Sequence, residues 1–348
     1  MAGLGIVRYG ISPLRSCVGA FTVERSAPGS HRRCCCSRCY LFSACLQRAV
    51  PYHDIGRDCL GNYRCVLDHT SLDLMVTMNM ITDKTDKTRL SWDVPAYEES
   101  LWLGRSKRWC VVIPVINEGD RIRSLLDRMS RLTISEHADI IIVDGGSTDN
   151  SLDAEFLRRN EVRGLLIKRG PGKLSAQLRC AYAFALDQGY EGIVTIDGND
   201  KDDPDAIPQF IAELDKGTDF VQASRFLEGG VAENTPKSRD LAIRLIHAPL
   251  LSLSSGFKWT DTTQGFRAYS RKMLLDTRIL PFRNVFMTYE LLAYLSYRAP
   301  KLGFQCKELA TVRRYPIGKV PTKINGIKGN LAVLAVLFRA CSGYYNPK

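Results

Sequence analysis

The chain has 348 residues, of which 45% are hydrophobic and 24% charged, and its net charge at neutral pH is +11. This composition is typical of a globular protein with an apolar core, and it argues against a disordered, collagen-like or coiled-coil chain. The excess of Lys and Arg fits an anionic partner, which could be nucleic acid, a membrane surface or a phosphorylated substrate.

The first 80 residues differ in composition from the remainder. Residues 1–83 contain nine Arg, six acidic residues and no Lys, and eight of the twelve Cys of the chain lie within residues 1–65. Three interpretations stay open for this segment: an organelle-targeting segment, an over-extended translation start with the true start at Met75, Met78 or Met80, and a small metal module that uses Cys36 and Cys39. We predict a linker over residues 81–108.

The remaining four Cys are scattered singly, at Cys110, Cys180, Cys306 and Cys341. Scattered thiols in an apolar-patterned chain indicate reduced packing residues, so we predict a cytoplasmic protein.

From residue 109 onward, short apolar runs alternate with stretches of helical periodicity. Strands are predicted at residues 109–115, 140–143, 165–168, 193–196 and 220–225. Helices are predicted at residues 119–132, 174–185 and 204–214, the last with Asp203 as its N-cap and Pro204 at its first position. Farther along, we predict helices at residues 240–253, 271–275 and 289–298 and a strand at residues 304–312. This alternation predicts an α/β fold with a mostly parallel central sheet and helices on both faces.

Polar residues follow several of the predicted strands. Asn117 and Glu118 follow the first strand, Asp144 and a Gly-Gly-Ser-Thr-Asp turn follow the second, and the segment from Asp197 to Asp203 follows the fourth. Ligands of open parallel sheets bind at the carboxyl ends of the strands, so these residues predict a nucleotide and metal site. Each motif also has a plainer interpretation, because a turn can simply cap a helix and an acidic loop can simply be solvated.

Five motifs taken together resemble family 2 glycosyltransferases with the GT-A fold. They are VVIPVINEG, IIIVDGGSTDNS, RGPGKLSAQ, TIDGNDKDDPDAI and DTTQGFRAYSRKML, and they place the resembling domain at residues 109–325, followed by a C-terminal helix and tail at 326–348. Later segments, among them FMTYELLAYL and VRRYPIGKVPTKI, resemble the dolichyl-phosphate mannose synthase and polyprenyl-phosphate glycosyltransferase branch.

The resemblance implies a role for individual residues. The nucleotide of the donor would be bound by Pro114, Asn117, Glu118 and Asp144. A Mg²⁺ or Mn²⁺ ion would be held by Asp197 and Asn199, with Asp200 as an alternative metal ligand. Phosphates would be bound by Arg225, Arg239, Arg313 and Arg314, and the catalytic residues would be Asp197 and Asp261, with Gln264 beside Asp261. Asn199 departs from the family pattern, since the second position of the D-x-D motif is usually a carboxylate. Lys201 departs from it as well, because the closest relatives usually carry Gln there.

The predicted reaction moves a sugar from a nucleotide-sugar donor to a polyprenyl phosphate, with inversion as the resemblance implies. An anionic phosphate acceptor needs no strong base, whereas a glycan hydroxyl would need a carboxylate such as Asp261.

Other classes of protein were compared with the same motifs. A nucleotidylyltransferase would need a basic Gly-rich loop after the first strand, where this chain has the acidic Glu118, and a dinucleotide oxidoreductase would need G-x-G-x-x-G there, which is absent. An inactive nucleotide- or lipid-binding relative remains the non-enzyme alternative. Nucleic acid is not an expected partner, because basic residues are dispersed and no stacking motif occurs.

The apolar stretch from Leu331 to Phe338 follows Lys319, Lys323 and Lys328. Eight apolar residues cannot cross a bilayer. We predict an interfacial helix on the cytosolic face of a membrane, or one that contacts a membrane-anchoring subunit, with a helix that packs into the core as the alternative.

Overall fold

The computed structural model describes residues 92–316 and 326–348, except for the side chains of residues 326–328. The predictions made for residues 1–80 and for Lys319 and Lys323 lie outside the described residues, as does that for the Lys328 side chain. The strands are β1 (Tyr97–Trp102), β2 (Trp109–Val115), β3 (Ala138–Asp144), β4 (Val162–Lys168), β5 (Gly192–Thr195), β6 (Phe220–Ser224), β7 (Val231–Glu233), β8 (Arg267–Ser270), β9 (Cys306–Ala310) and β10 (Val312–Arg314).

The helices are α1 (Asp120–Arg131), α2 (Ala154–Arg159), α3 (Leu174–Asp187), α4 (Ile207–Asp215), α5 (Lys237–Ala242), α6 (Ala248–Ser255), α7 (Arg271–Leu274), α8 (Glu290–Lys301) and α9 (Gly326–Cys341). A π-helical turn, Ile243–His247, joins α5 to α6, and short 3₁₀ turns lie at Ile134–Glu136 and Pro204–Ala206.

The central sheet has eight strands in the order β1-β4-β3-β2-β5-β8-β6-β9. The pairs β4-β3, β3-β2, β2-β5 and β6-β9 are parallel, whereas β1 and β8 run antiparallel to their neighbours. The predicted mostly parallel sheet is therefore confirmed. The chain order reverses between β2 and β5, which makes their carboxyl ends the switch point at which such sheets bind ligands.

Successive residues of β2 face opposite sides of the sheet, as a strand requires. Val111 and Ile113 pack with α1, α2 and α4, while Cys110 and Val112 pack with α3 and α8. Because both faces are buried, strands β2, β3 and β5 are nearly continuous apolar runs, and the predicted layers of helices on both faces are confirmed.

One segment differs from the predicted organisation, because part of the interval predicted as a linker forms β1, which pairs with β4 at the sheet edge. The predicted C-terminal helix is α9. It packs against α8 and α6 and buries Leu337 and Ala340 in the same core as Cys110, whereas Leu331 and Phe338 on the same helix are exposed.

Candidate donor and acceptor site

A cavity of about 1070 Å³ opens at the carboxyl ends of β2 and β5. One end of the cavity is formed by Pro114, Glu118, Gly145, Lys168 and Gln177. Gln177 fixes this wall from α3, because its side-chain amide donates to the carbonyls of Val115 and Val143 at 2.9 and 3.1 Å. The predicted nucleotide residues Pro114 and Glu118 therefore lie in the cavity wall, with the Glu118 carboxylate 2.7 Å from Arg121.

Two other residues predicted to contact the nucleotide hold the surrounding loops together. The Asn117 amide oxygen accepts from the backbone N–H of Thr148 at 2.8 Å, and the Asp144 carboxylate accepts from the Ser147 hydroxyl at 2.6 Å. Neither Asn117 nor Asp144 lines the cavity. The Asp144 side chain thus closes the turn that follows β3 and does not cap a helix, since α2 begins at Ala154 with Asp153 as its N-cap.

Asp197 and Asn199 lie in the cavity wall just after β5. The Asp197 carboxylate accepts from Nη2 of Arg313 at 3.4 Å, and the Asn199 side-chain oxygen accepts from the backbone N–H of Lys201 at 3.2 Å. Gly265 allows this placement, since a Cβ there would lie 2.8 Å from Cγ of Asp197. One carboxylate and one amide oxygen fit Mg²⁺, which commonly takes one or two protein carboxylates together with substrate phosphates and water.

The next carboxylates of the loop point elsewhere. Asp200, at φ 55°, accepts from the Ser124 hydroxyl at 2.6 Å and from Arg128 at 2.8 Å, both on α1. Asp203 accepts from the same Arg128 at 2.8 Å. The structure therefore does not support Asp200 as a metal ligand, because both of its oxygens are used to anchor the loop to α1.

Arg313 is the one predicted phosphate ligand that reaches Asp197. Its guanidinium also donates to Asp202, which is 1% exposed, and burial raises the pKa of Asp202 despite this pairing. Arg314 lies outside the cavity instead, half exposed and paired with Asp203 and Glu233 at 3.1 and 2.8 Å. The predicted role of Arg314 in phosphate binding thus finds no support in its position.

Arg225 and Asp261 form a buried ion pair and do not line the cavity. Burial alone would raise the pKa of Asp261, but Arg225 and the Gln264 amide, 2.7 Å away, outweigh it and lower this pKa. The Glu308 carboxylate holds the turn from the other side by accepting the backbone N–H of Asp261 at 3.0 Å. A carboxylate so enclosed cannot approach an acceptor hydroxyl, so the geometry argues against Asp261 as a general base and Arg225 as a direct phosphate ligand.

Tyr315 is a cavity residue to which the sequence analysis assigned no role. Its hydroxyl accepts from Nη1 of Arg239 at 3.1 Å and lies 3.5 Å from Nη1 of Arg225. Burial would raise the pKa of Tyr315, yet Arg313, Arg225 and Arg239 together lower it to about 7. The position follows Arg313 and Arg314 in the VRRYP motif, but no periodicity indicates that its hydroxyl meets three guanidinium groups.

The charges of the cavity wall are mostly positive. Basic side chains in the wall are Arg121, Lys168, Lys173, Lys201, Arg239, Arg267 and Arg313, whereas Glu118 and Asp197 are its acidic residues among the described positions. Such a wall suits a ligand that carries several phosphate charges.

The other end of the cavity is apolar and is formed by helices from the second half of the chain. Its wall consists of Ala242, Ile243, Ile246, Leu251, Leu292, Ala293, Val333, Leu334, Val336 and Leu337. We call this region the apolar arm. Arg239 and His247 lie beside it, so positive charge meets apolar surface inside one cavity. Helical patterning revealed the helices but not that α5, α6, α8 and α9 enclose a space.

Several large apolar side chains around the apolar arm face solvent. They are Leu241, Leu245, Ile246 and Leu253 on the segment from α5 to α6, and Leu331 and Phe338 on α9. Ile246 both lines the arm and is exposed, so this patch, hereafter the apolar patch, adjoins the arm. Among the described residues, no helix combines the length and hydropathy needed to cross a bilayer.

The chain is similar in sequence to known proteins. Residues 110–277, from β2 to just beyond α7, match the family described as glycosyl transferase family 2. The polyprenol monophosphomannose synthase of Mycolicibacterium smegmatis is 25% identical over 219 residues, which are 62% of this chain and 80% of the relative.

Among solved structures, glucosyl-3-phosphoglycerate synthase from Mycobacterium tuberculosis in complex with phosphoglyceric acid aligns with a TM-score of 0.49 and 20% identity. The complex of the same protein with Mn²⁺, UDP and glucosyl-3-phosphoglycerate aligns with a TM-score of 0.45 and 19% identity. Each alignment covers 68% of this chain and 81% of the other chain.

Proposed function

We propose that this chain is a family 2 glycosyltransferase with the GT-A fold and that it transfers a sugar from a nucleotide-sugar donor to a polyprenyl phosphate. The observation that carries the proposal is the continuity of one cavity from a cationic end at β2 and β5 to the apolar arm. A soluble, fully polar acceptor would gain nothing from such an arm, whereas each isoprenyl methylene or methyl group buried there contributes about 0.8 kcal/mol. The name of the M. smegmatis relative, a polyprenol monophosphomannose synthase, supports the same acceptor class.

The donor would lie at the polar end. Pro114, Glu118 and Gln177 would enclose the nucleotide, and Arg313 and Lys173 would face its diphosphate. Asp197 and Asn199 would hold a divalent cation, Mg²⁺ or Mn²⁺, which would neutralise the charge that develops on the leaving diphosphate.

The acceptor phosphate would lie where the cationic and apolar parts of the cavity meet. Arg239 can bind it bidentately in the geometry that guanidinium groups prefer. Its attacking oxygen is already anionic, so it can form the new bond to the anomeric carbon while the bond to the donor diphosphate breaks. We propose that this single displacement inverts the configuration at that carbon. Retention by two displacements would need a carboxylate nucleophile of the protein. The two acidic residues in the described part of the wall, Glu118 and Asp197, are instead engaged with Arg121 and Arg313.

Asp261 and Arg225 would then act as positioning residues. Their ion pair and Gln264 fix the turn that carries Thr262, Thr263 and Gly265 into the cavity wall. A glycan hydroxyl as acceptor would need a base, and Asp261 is too enclosed to serve as one.

We further propose that the protein binds peripherally to a membrane surface. The apolar patch meets the apolar arm at Ile246, which both lines the cavity and is exposed, so a polyprenyl chain could pass there from the bilayer into the arm. Exposed Leu and Phe side chains on amphipathic helices insert into the interfacial region of a bilayer.

The function is tested by incubating the full chain with a panel of nucleotide sugars and polyprenyl phosphate. The expected result is sugar in the lipid extract together with equimolar free nucleoside diphosphate, with both products formed at least about 100-fold more slowly by Asp197→Asn. Transfer to a glycan but not to the lipid would replace the acceptor assignment, and binding of nucleotide without any transfer would favour an inactive relative.

A further inference from the structure

Lys201 faces the donor end of the cavity with only 7% of its surface exposed. Its ammonium lies 4.9 Å from the centre of the Tyr315 ring. Its backbone N–H donates to Asn199, and its backbone carbonyl accepts from the N–H of Arg314 at 2.8 Å. Because the loop is held at both backbone groups of Lys201, the fold fixes the point from which this side chain extends toward Tyr315.

The loop that carries Lys201 turns most of its negative charge away from the cavity. Of its four carboxylates, Asp197 alone lines the cavity, whereas Asp200, Asp202 and Asp203 are paired with arginines behind the wall. Within the described residues, no three Asp, Glu, His or Cys side chains are grouped so that they could hold a metal ion.

The cavity wall beside Asp197 presents the Lys201 ammonium and the Arg313 guanidinium, the latter paired with the buried Asp202, together with one carboxylate and one neutral amide. The positive charge of Lys201 repels a divalent cation and weakens its binding, whereas it attracts a diphosphate to the same wall.

We propose that the Lys201 ammonium binds the donor diphosphate directly and carries part of the charge neutralisation that a divalent cation would otherwise supply. The nucleoside diphosphate then binds in the absence of metal. The inference rests on the proposed function, because it requires that the donor diphosphate lies at this end of the cavity.

The test is calorimetric titration of GDP and of UDP into the full chain, once in EDTA and once in Mg²⁺. For the nucleotide that binds, we expect the Kd of the wild type in EDTA to lie within about threefold of that in Mg²⁺, because charge-assisted hydrogen bonds replace the ion contact. Lys201→Gln should weaken binding in EDTA by about tenfold or more, the loss of one charge-assisted hydrogen bond, and Mg²⁺ should restore most of it. The matched control Lys258→Gln removes an exposed lysine outside the cavity and should change nothing.

Two outcomes would overturn the inference: binding by the wild type only when Mg²⁺ is present, or an equal loss in Lys201→Gln with and without Mg²⁺. If neither nucleotide binds in either condition, the proposed function itself fails, and the inference with it. The wild-type comparison does not depend on the folding of any variant. Lys201→Arg, which keeps the charge, should retain binding in EDTA.

Discussion

Nε of Arg225 lies 2.7 Å from Oδ2 of Asp261, and both side chains are at most 1% exposed. Removing one charge of a buried pair leaves the other uncompensated, so Asp261→Asn should lower the free energy of unfolding by about 3–5 kcal/mol. The pH–rate profile of the residual activity should keep its shape, since Asp261 is not the proton acceptor.

Denaturant unfolding and a pH series on the same variant check this prediction. Glu98→Gln is the control, because its pair with Arg169 is more than half exposed and should contribute at most about 1 kcal/mol. A variant as stable as the wild type, with the acid limb of its rate profile missing, would instead identify Asp261 as a catalytic base.

The two acidic residues Asp197 and Asp200 should respond differently to the same substitution. Asp197→Asn should reduce turnover by about 100- to 1000-fold, the usual effect of removing one contact to developing charge, with little change in the melting temperature. Asp200→Asn should lower the free energy of unfolding by about 1 kcal/mol through its lost contacts to Ser124 and Arg128. Turnover should fall far less in this variant than in Asp197→Asn. Loss of transfer in Asp200→Asn with a shifted metal preference would assign the metal to Asp200.

Strands β2, β3 and β5 could be predicted from the sequence because burial on both faces makes them nearly continuous apolar runs. Antiparallel strands lack this signal: β1 (YEESLW) alternates weakly, and β8 (RAYS) begins with Arg267, which is buried because its guanidinium donates to backbone carbonyls.

The location of the site could be predicted for a related reason, since polar residues after parallel strands meet at one sheet edge. The direction in which each side chain of the site points could not be predicted. It depends on backbone angles such as the φ of 55° at Asp200, which turns that carboxylate toward α1. It also depends on distant partners, as Tyr315 and Arg239 are 76 residues apart in sequence. Backbone angles and tertiary contacts of this kind leave no periodic pattern in the sequence from which they could be predicted.

Tyr315 should ionise close to neutral pH. Ultraviolet titration should reveal one tyrosine with a pKa of about 7, and this transition should be absent from Tyr315→Phe. Because the folded pKa lies below the ordinary value of about 10, ionisation stabilises the fold fully above about pH 10, and this stabilisation is lost as the pH falls through 7. The stability difference between wild type and Tyr315→Phe should therefore widen as the pH rises above 7. A difference that is constant across this range would contradict the assignment.

The apolar patch should bind lipid. A double variant, Leu245→Asp and Leu253→Asp, changes side chains that are 65% and 85% exposed, so the core should be unaffected. Cosedimentation with vesicles of phosphatidylcholine and phosphatidylserine should fall by at least about tenfold, because two apolar anchors are lost and two negative charges gained. Leu103→Asp, at an exposed leucine outside the patch, is the control. Equal binding by all three proteins would show that the patch does not face the membrane.

The most direct test of the account is the acceptor specificity of the apolar arm, measured in detergent solution so that membrane binding plays no part. Val333 lines the arm, whereas Leu331 on the same helix is exposed and does not. For Val333→Asp, kcat/KM with a long polyprenyl phosphate should fall by about tenfold or more, since a carboxylate placed against an isoprenyl chain is costly. A short isoprenyl phosphate should be used as well as by the wild type, and Leu331→Asp should behave as the wild type with both acceptors. If Val333→Asp leaves the preference for the long acceptor unchanged, or if the wild type does not prefer it, the arm does not bind the acceptor and the proposed function is contradicted.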